Sequence, residues 1–136
     1  MKDISDAADL MTAARDALLR ELLPVLPAPH RYSALMIANA MAIAAREHRL
    51  ATDAKQSETA RLRNLLADCA LPIPPSSDSS ALRRIVCSAI RDGRFDEPAS
   101  ATRLTQALTH TAEACVAISN PKALPTASQP TARNEG

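Results

Sequence analysis

Between Arg31 and Glu47 the chain reads RYSALMIANAMAIAARE, its least polar stretch, with an asparagine at the centre and charged residues at both ends. No glycine or proline interrupts it, and Tyr32, Met36, Asn39, Ile43, Arg46 and Leu50 recur at alternating spacings of four and three. That spacing is the seam of a helix. Leu35, Ala38, Ala42 and Ala45 form a second line and Ile37, Met41 and Ala44 a third, so most of the circumference is apolar or small. A helix of that kind is expected to be surrounded by other elements. With one Tyr, one Phe and no Trp, the core has to be built from aliphatic side chains at close helix contacts. The fold expected is all-α.

Reading outward from this segment gives a compact bundle of four to five helices. Ala8, Met11, Ala14, Leu18 and Leu22 mark the inner face of a first helix over 5–23, with Ser5 or Asp6 as its cap and Pro24 as its end. Pro24, Pro27 and Pro29 make a stiff connector. The second helix spans 30–50, and a more polar one follows over 53–68, with Leu62, Leu65 and Leu66 inside and Glu58, Arg61 and Arg63 outside. The pattern allows the two to be one continuous helix. LPIPPSSDSS, 71–80, reads as the main loop, mobile by its Ser and Pro content and closed by cap residues. A short helix then carries Leu82, Ile85, Val86, Ala89 and Ile90 and is stopped by Gly93, which accepts the left-handed cap conformation. Phe95 folds back on that end, and Asp96 and Pro98 open a last helix lined by Leu104, Leu108, Thr111, Cys115 and Ile118. Residues 1–121 make one domain, and 122–136, poor in apolar residues, form a disordered tail.

Charge and rare residues exclude several function classes. With 16 Lys plus Arg against 15 Asp plus Glu, the formal charge of +1 gives no bulk attraction to phosphate, and nucleic acid is not an expected partner. The start MKDISDAADL lacks an apolar core of the secretory type, and 34–45 is too short to span a bilayer, so a cytoplasmic location is expected. Cys69, Cys87 and Cys115 fit neither a disulfide framework nor a metal site and read as reduced, packed thiols. His30, His48 and His110 lack ligand spacing, so no metal site is expected and surface or cap roles suit them.

Two glycines cannot form the usual nucleotide cradles, and no GxSxG elbow or paired nucleophile is present. Asp92, Asp96 and Glu97 flank a turn whose capping needs account for them. The chain is therefore not expected to be an enzyme by itself. Two readings of Asn39 stay open. It is either a bundle-core amide that fixes register, or part of an interface at which the alanines let another chain approach and Arg31, Tyr32, Arg46 and Glu47 supply polar fixtures. The second reading covers a heterologous partner and a self-assembling homo-oligomer alike. A third use of the segment is an acyl or CoA slot lined by Met11, Met36 and Met41.

The pattern R-Y-x-x-x-M-x-A-N-A-x-A-I-x-x-R-E at 31–47, followed by IRDGRFDEP and AISNPKAL, resembles a family of small bacterial helical proteins of largely unknown function. Its members are often encoded beside an aminoglycoside-phosphotransferase-like kinase and an acyl-CoA dehydrogenase. They include the small companion subunit of the hydroxyacyl-CoA kinase in levulinate breakdown. The resemblance covers roughly 5–124. It places Arg31, Tyr32, Asn39, Arg46 and Glu47 on the family's central helix and Arg94, Phe95 and Asp96, after Gly93, on a helix-to-helix turn. It implies no catalytic residues. The implied role is an accessory subunit that holds a kinase acting on a hydroxyacyl-CoA, with ATP and Mg²⁺ bound by the kinase and no cofactor bound by this chain.

Overall fold

The computed structural model describes residues 6–125, and every regular element among them is helical. Helix α1 spans Ala7–Ala17, passes into a π turn at Leu18–Leu22 and ends in a 3-10 turn at Leu23–Val25. Helix α2 spans Ala28–Asp68, α3 spans Ser79–Arg91 and α4 spans Pro98–Ser119, followed by a 3-10 turn at Pro121–Ala123. Pro24 therefore does not stop the first helical segment, and Pro29 sits in the first turn of α2. Pro29 occupies a first-turn position whose N–H would have no helical acceptor, so it costs no hydrogen bond. Asp6 stands at the N-cap of α1 but makes no side-chain cap bond, and Ser5 lies outside the described residues.

The second and third expected helices are one. ATDAKQS, at the junction, contains no glycine or proline, so nothing breaks the ladder and α2 runs for 41 residues. At 1.5 Å per residue it is roughly 60 Å long. Its two halves have different surroundings. Leu62, Leu65 and Leu66 of the C-terminal half form the core with Leu82, Val86 and Ala89 of α3, Phe95 of the turn and Ala107 of α4. The N-terminal half buries only Ala34, Ala38 and Ala45, against α1.

Two helix ends use the same device. After α2, Ala70 takes φ +54° while Leu71 N–H donates to the Leu66 carbonyl and Ala70 N–H to that of Ala67, both at 3.0 Å. After α3, Gly93 takes φ +75°, Arg94 N–H donates to Ala89 at 3.0 Å and Gly93 N–H to Ile90 at 3.1 Å. Both are left-handed caps closed by paired bonds to the last carbonyls. Phe95 does fold back into the core, as its place after Gly93 suggests.

Several inner faces are displaced from their sequence reading. On α4, Leu104, Thr111 and Ile118 of the expected face are half-buried, while Ala107 and Ala114 take the inner places of Leu108 and Cys115, which are exposed. On α1, Ala8 is buried but Met11, Ala14 and Leu22 are exposed, since contact with α2 uses the side carrying Ala8 and the half-buried Arg15 and Leu19. Ile90 of α3 is likewise largely exposed. The 71–80 loop is held rather than loose. Arg63 donates to the Ser77 carbonyl at 2.7 Å, Ser77 Oγ donates to Pro74 at 2.8 Å, and Ile73 packs on the core. Asp78 then caps α3 by accepting from Ala81 N–H at 2.8 Å. The proposed tail begins later than 122, since Lys122 and Ala123 belong to a 3-10 turn and Leu124 is half-buried; 126–136 lie outside the described residues. Cys87 and Cys115 are exposed and Cys69 half-buried, so only the last is packed; all three are unpaired.

The two caps yield a paired prediction. Alanine in the left-handed region is strained by roughly 1 kcal/mol relative to glycine. Ala70→Gly should raise unfolding stability by about that amount in urea titrations, and Gly93→Ala should lower it by at least as much. At Gly93 a Cβ would also stand 2.9 Å from Asp96 Oδ2.

Candidate functional site

The unusual part of the molecule is the half of α2 that carries the opening segment. Asp6 pairs with His48 at 2.6 Å and Asp9 with Arg49 at 2.9 Å, so the start of α1 lies beside the middle of α2 and the two helices run antiparallel. Arg46 Nε donates to the Ile118 carbonyl at 2.7 Å, placing the end of α4 at the same level. From Arg46 back to Ala28, about 27 Å at the helical rise, α2 has α1 and its terminal turns as cover. These helices form an arm that projects from the three-helix core.

Small residues make the arm's seam. Ala8 is fully buried and Ala34, Ala38 and Ala45 nearly so, which lets the backbones approach closely. The large apolar side chains are left outside. Tyr32 is 73 % exposed and Val25 76 %, while Leu10, Leu22, Leu35, Met36 and Ile37 each show half or more of their surface. An isolated exposed leucine needs no explanation, but this many large apolar side chains exposed on one projecting element make it the candidate interaction surface.

The candidate residues divide by role. Arg31 Nε donates to the Leu26 carbonyl at 3.2 Å and closes the arm's tip. Arg46 satisfies a carbonyl in the last turn of α4, where a cation also suits the helix dipole. Tyr32, Asn39 and Glu47 are exposed. Asn39 is therefore not a bundle-core amide, because the buried line of α2 passes through Ala34 and Ala38 and Asn39 points elsewhere. Met36 lies on the side of α2 turned away from that line, so Met11 on α1 does not line a common slot with it.

Leu50, Ala54, Ser57 and Arg61 line a groove against Ala114 and Ala117 of α4. Tyr32, Met36, Asn39 and Ile43 stand 18 positions before them, in the same order. At 3.6 residues per turn that is about five whole turns, so the two sets share one side of the helix. The seam around Asn39 lies on the side of α2 that borders one flank of α4 farther along.

One polar pair was not legible as such. Glu58, expected on the outside, is 6 % exposed, and Arg83 of α3 grips its carboxylate with Nε at 2.5 Å and a terminal nitrogen at 2.6 Å. The hydrogen bonds to Glu58 raise the Arg83 guanidinium above its ordinary range, against the opposing effect of desolvation. The spacing of Glu58 from Leu62 and Leu65 was the available signal. The pair borders a groove of about 350 Å³ between α2, α3 and α4, where Glu47, Lys55 and Cys115 also line the wall. His48 and His110 make surface pairs with Asp6 and Glu113, and His30 is exposed. Among the described residues no group of three or more His, Cys, Asp or Glu side chains is placed to hold a metal, and no helix is long and apolar enough to cross a membrane.

Residues 24–123 match the family described as Domain of unknown function (DUF6285), and the chain belongs to that family. The match takes in α2, α3 and α4 and begins after α1. Searches of curated proteins and of solved structures gave no match.

The Glu58–Arg83 pair sets up a double-mutant cycle. Arg83→Met leaves a buried carboxylate without its donors and should cost about 1–3 kcal/mol in urea unfolding. The double variant Glu58→Met with Arg83→Met should recover most of that loss, since an apolar pair of similar volume removes the desolvation cost.

Proposed function

We propose that this member of the DUF6285 family is a non-catalytic accessory subunit that binds and supports an aminoglycoside-phosphotransferase-like kinase acting on a hydroxyacyl-CoA. The observation that carries the reading is the apolar arm. A helical hairpin that leaves Leu10, Leu22, Val25 and Tyr32 more than half exposed keeps apolar surface in water unless another protein covers it. The sequence resemblance at 31–47 supplies the identity of the partner, and the charge balance is consistent with a protein partner rather than a polyanion. In this reading the kinase holds ATP and Mg²⁺ and performs the transfer, while this chain contributes surface. The α1 side of the arm, with Leu10 and Met11 exposed, is the docking face for the kinase.

Co-expression with the kinase encoded beside it tests the proposal. The expected result is a mixed complex that survives gel filtration and a kinase more soluble or more active than when made alone. Leu10→Glu should abolish co-purification while leaving the chain folded, because that side chain is 60 % exposed in the chain alone. A kinase equally soluble and active without this chain, and no mixed complex, would contradict it.

A further inference from the structure

We infer that the start of α3 binds the phosphate group of a small organic molecule, held by the Ser79 hydroxyl, the Ser79 and Ser80 backbone N–H groups, Lys55 and Arg83. This goes beyond the accessory role, which uses the α1 side of the arm and needs no ligand on this chain. Three observations carry it.

The first is a buried hydroxyl without a partner. Ser79 is 6 % exposed, and it lines both the groove of about 350 Å³ between α2, α3 and α4 and a neighbouring hollow against α2. The polar groups around it bond elsewhere: Arg63 donates to the Ser77 carbonyl, Ser77 Oγ to that of Pro74, and Ala81 N–H to Asp78 Oδ1. Among the described residues Ser79 Oγ takes part in no hydrogen bond, whereas the other buried polar side chains, Glu58 and Ser77, are both bonded. A hydroxyl withdrawn from water in that state costs stability until an acceptor arrives.

The second is the helix end. Helix α3 has 13 residues, and its first helical bond runs from Leu82 N–H to the Asp78 carbonyl. Asp78, at the N-cap, takes Ala81 N–H with its side chain, so the serine hydroxyl one position later has no capping duty. The N–H groups of Ser79 and Ser80 are left with no acceptor among the described residues. Together with the hydroxyl they form a set of donors at the positive end of the helix dipole, where an anion is favoured.

The third is charge beside those donors. Lys55 lines both hollows with Ser79 and makes no ion pair among the described residues. Arg83, one turn into α3 from Ser79, spends Nε and one N–H of a terminal nitrogen on Glu58, which leaves the rest of its five N–H donors free. The adjacent carboxylates are engaged, Glu58 with Arg83 and Asp78 with the helix end. Glu47, which also lines the groove, stands more than two turns before Lys55 on α2, about 12 Å away at the helical rise. A planar carboxylate has too few oxygens for so many converging donors. A phosphate monoester brings a tetrahedral set of acceptor oxygens and about −1.5 to −2 charges at neutral pH. The volume of the groove leaves space for its organic substituent.

Titration of the full chain with glycerol 3-phosphate at constant ionic strength, read by amide NMR, tests the inference. The expected result is saturable shifts at the Ser79 and Ser80 amides with half-saturation on the order of 1 mM. Inorganic phosphate should compete for the same amides, and acetate should bind at least ~10-fold more weakly. Ser79→Ala should weaken phosphate binding by about 10-fold, the loss of one hydrogen bond to a charged group. In phosphate-free buffer the same variant should be at least as stable to urea as the parent, because the hydroxyl it lacks was unbonded. Lys55→Met should weaken binding by a similar factor with unchanged circular dichroism, since Lys55 is exposed. Shifts that follow ionic strength alone, no saturation by about 20 mM, or binding indifferent to Ser79→Ala would overturn the inference. So would a Ser79→Ala chain clearly less stable than the parent without phosphate, since the hydroxyl would then already have its partner. Ester binding ~10-fold weaker than that of inorganic phosphate would overturn it too, since the groove would not admit an organic substituent.

Discussion

A helix of 41 residues is roughly 60 Å long, and among the described residues no other helix matches its length. Helix α4, with 22 residues, extends about 33 Å, and α3, with 13, about 20 Å. Both are tied to the C-terminal half of α2, where Leu62, Leu65 and Leu66 build the core. Among the described residues the other half receives α1 and the turns that follow it. From this mismatch of lengths follow the arm, its alanine seam and the apolar side chains left facing water. A shorter α2 would have given a closed bundle with no surface to explain.

The helices themselves were legible because apolar residues recur at helical spacing and because proline and glycine stand where the chain turns. Leu62, Leu65, Leu66, Leu82, Val86 and Phe95 were identified as core from that pattern, and they are. Glu58 was not, because a carboxylate on an inner line is read as solvated unless its partner is known, and Arg83 arrives from a different helix. The inner faces of α1 and α4 were misread for a related reason. Alanine packs closer than leucine, so the contact line followed Ala8 and Ala107 and left Met11 and Leu108 outside. Periodicity locates a stripe, whereas the distance between helices decides which of two adjacent stripes is buried.

The candidate residues at 31–47 were visible as an anomaly but not in their roles. Arg31 and Arg46 bind carbonyls within the chain, Arg46 from 72 positions away, which no local pattern encodes. Asn39 could be read as a buried polar residue because its neighbours on the wheel are apolar, yet Tyr32, Leu35 and Met36 are exposed as well and Ile43 is only half-buried. Tyr32, Met36 and Asn39 meet the sequence criteria for burial and are exposed among the described residues. The sequence shows the face; where α4 ends decides how far along α2 that helix covers it.

The central claim is that α2 is stabilised unequally along its length, strongly beyond Arg46 and weakly before it until something covers the arm. Native-state hydrogen exchange read residue by residue along α2, at low protein concentration, tests this most directly. The account predicts slow, globally limited exchange around Leu62–Leu66, faster exchange through local opening from Tyr32 to Ile43, and a break between the two near Arg46. Uniform protection from one end of α2 to the other in the dilute chain would contradict the account.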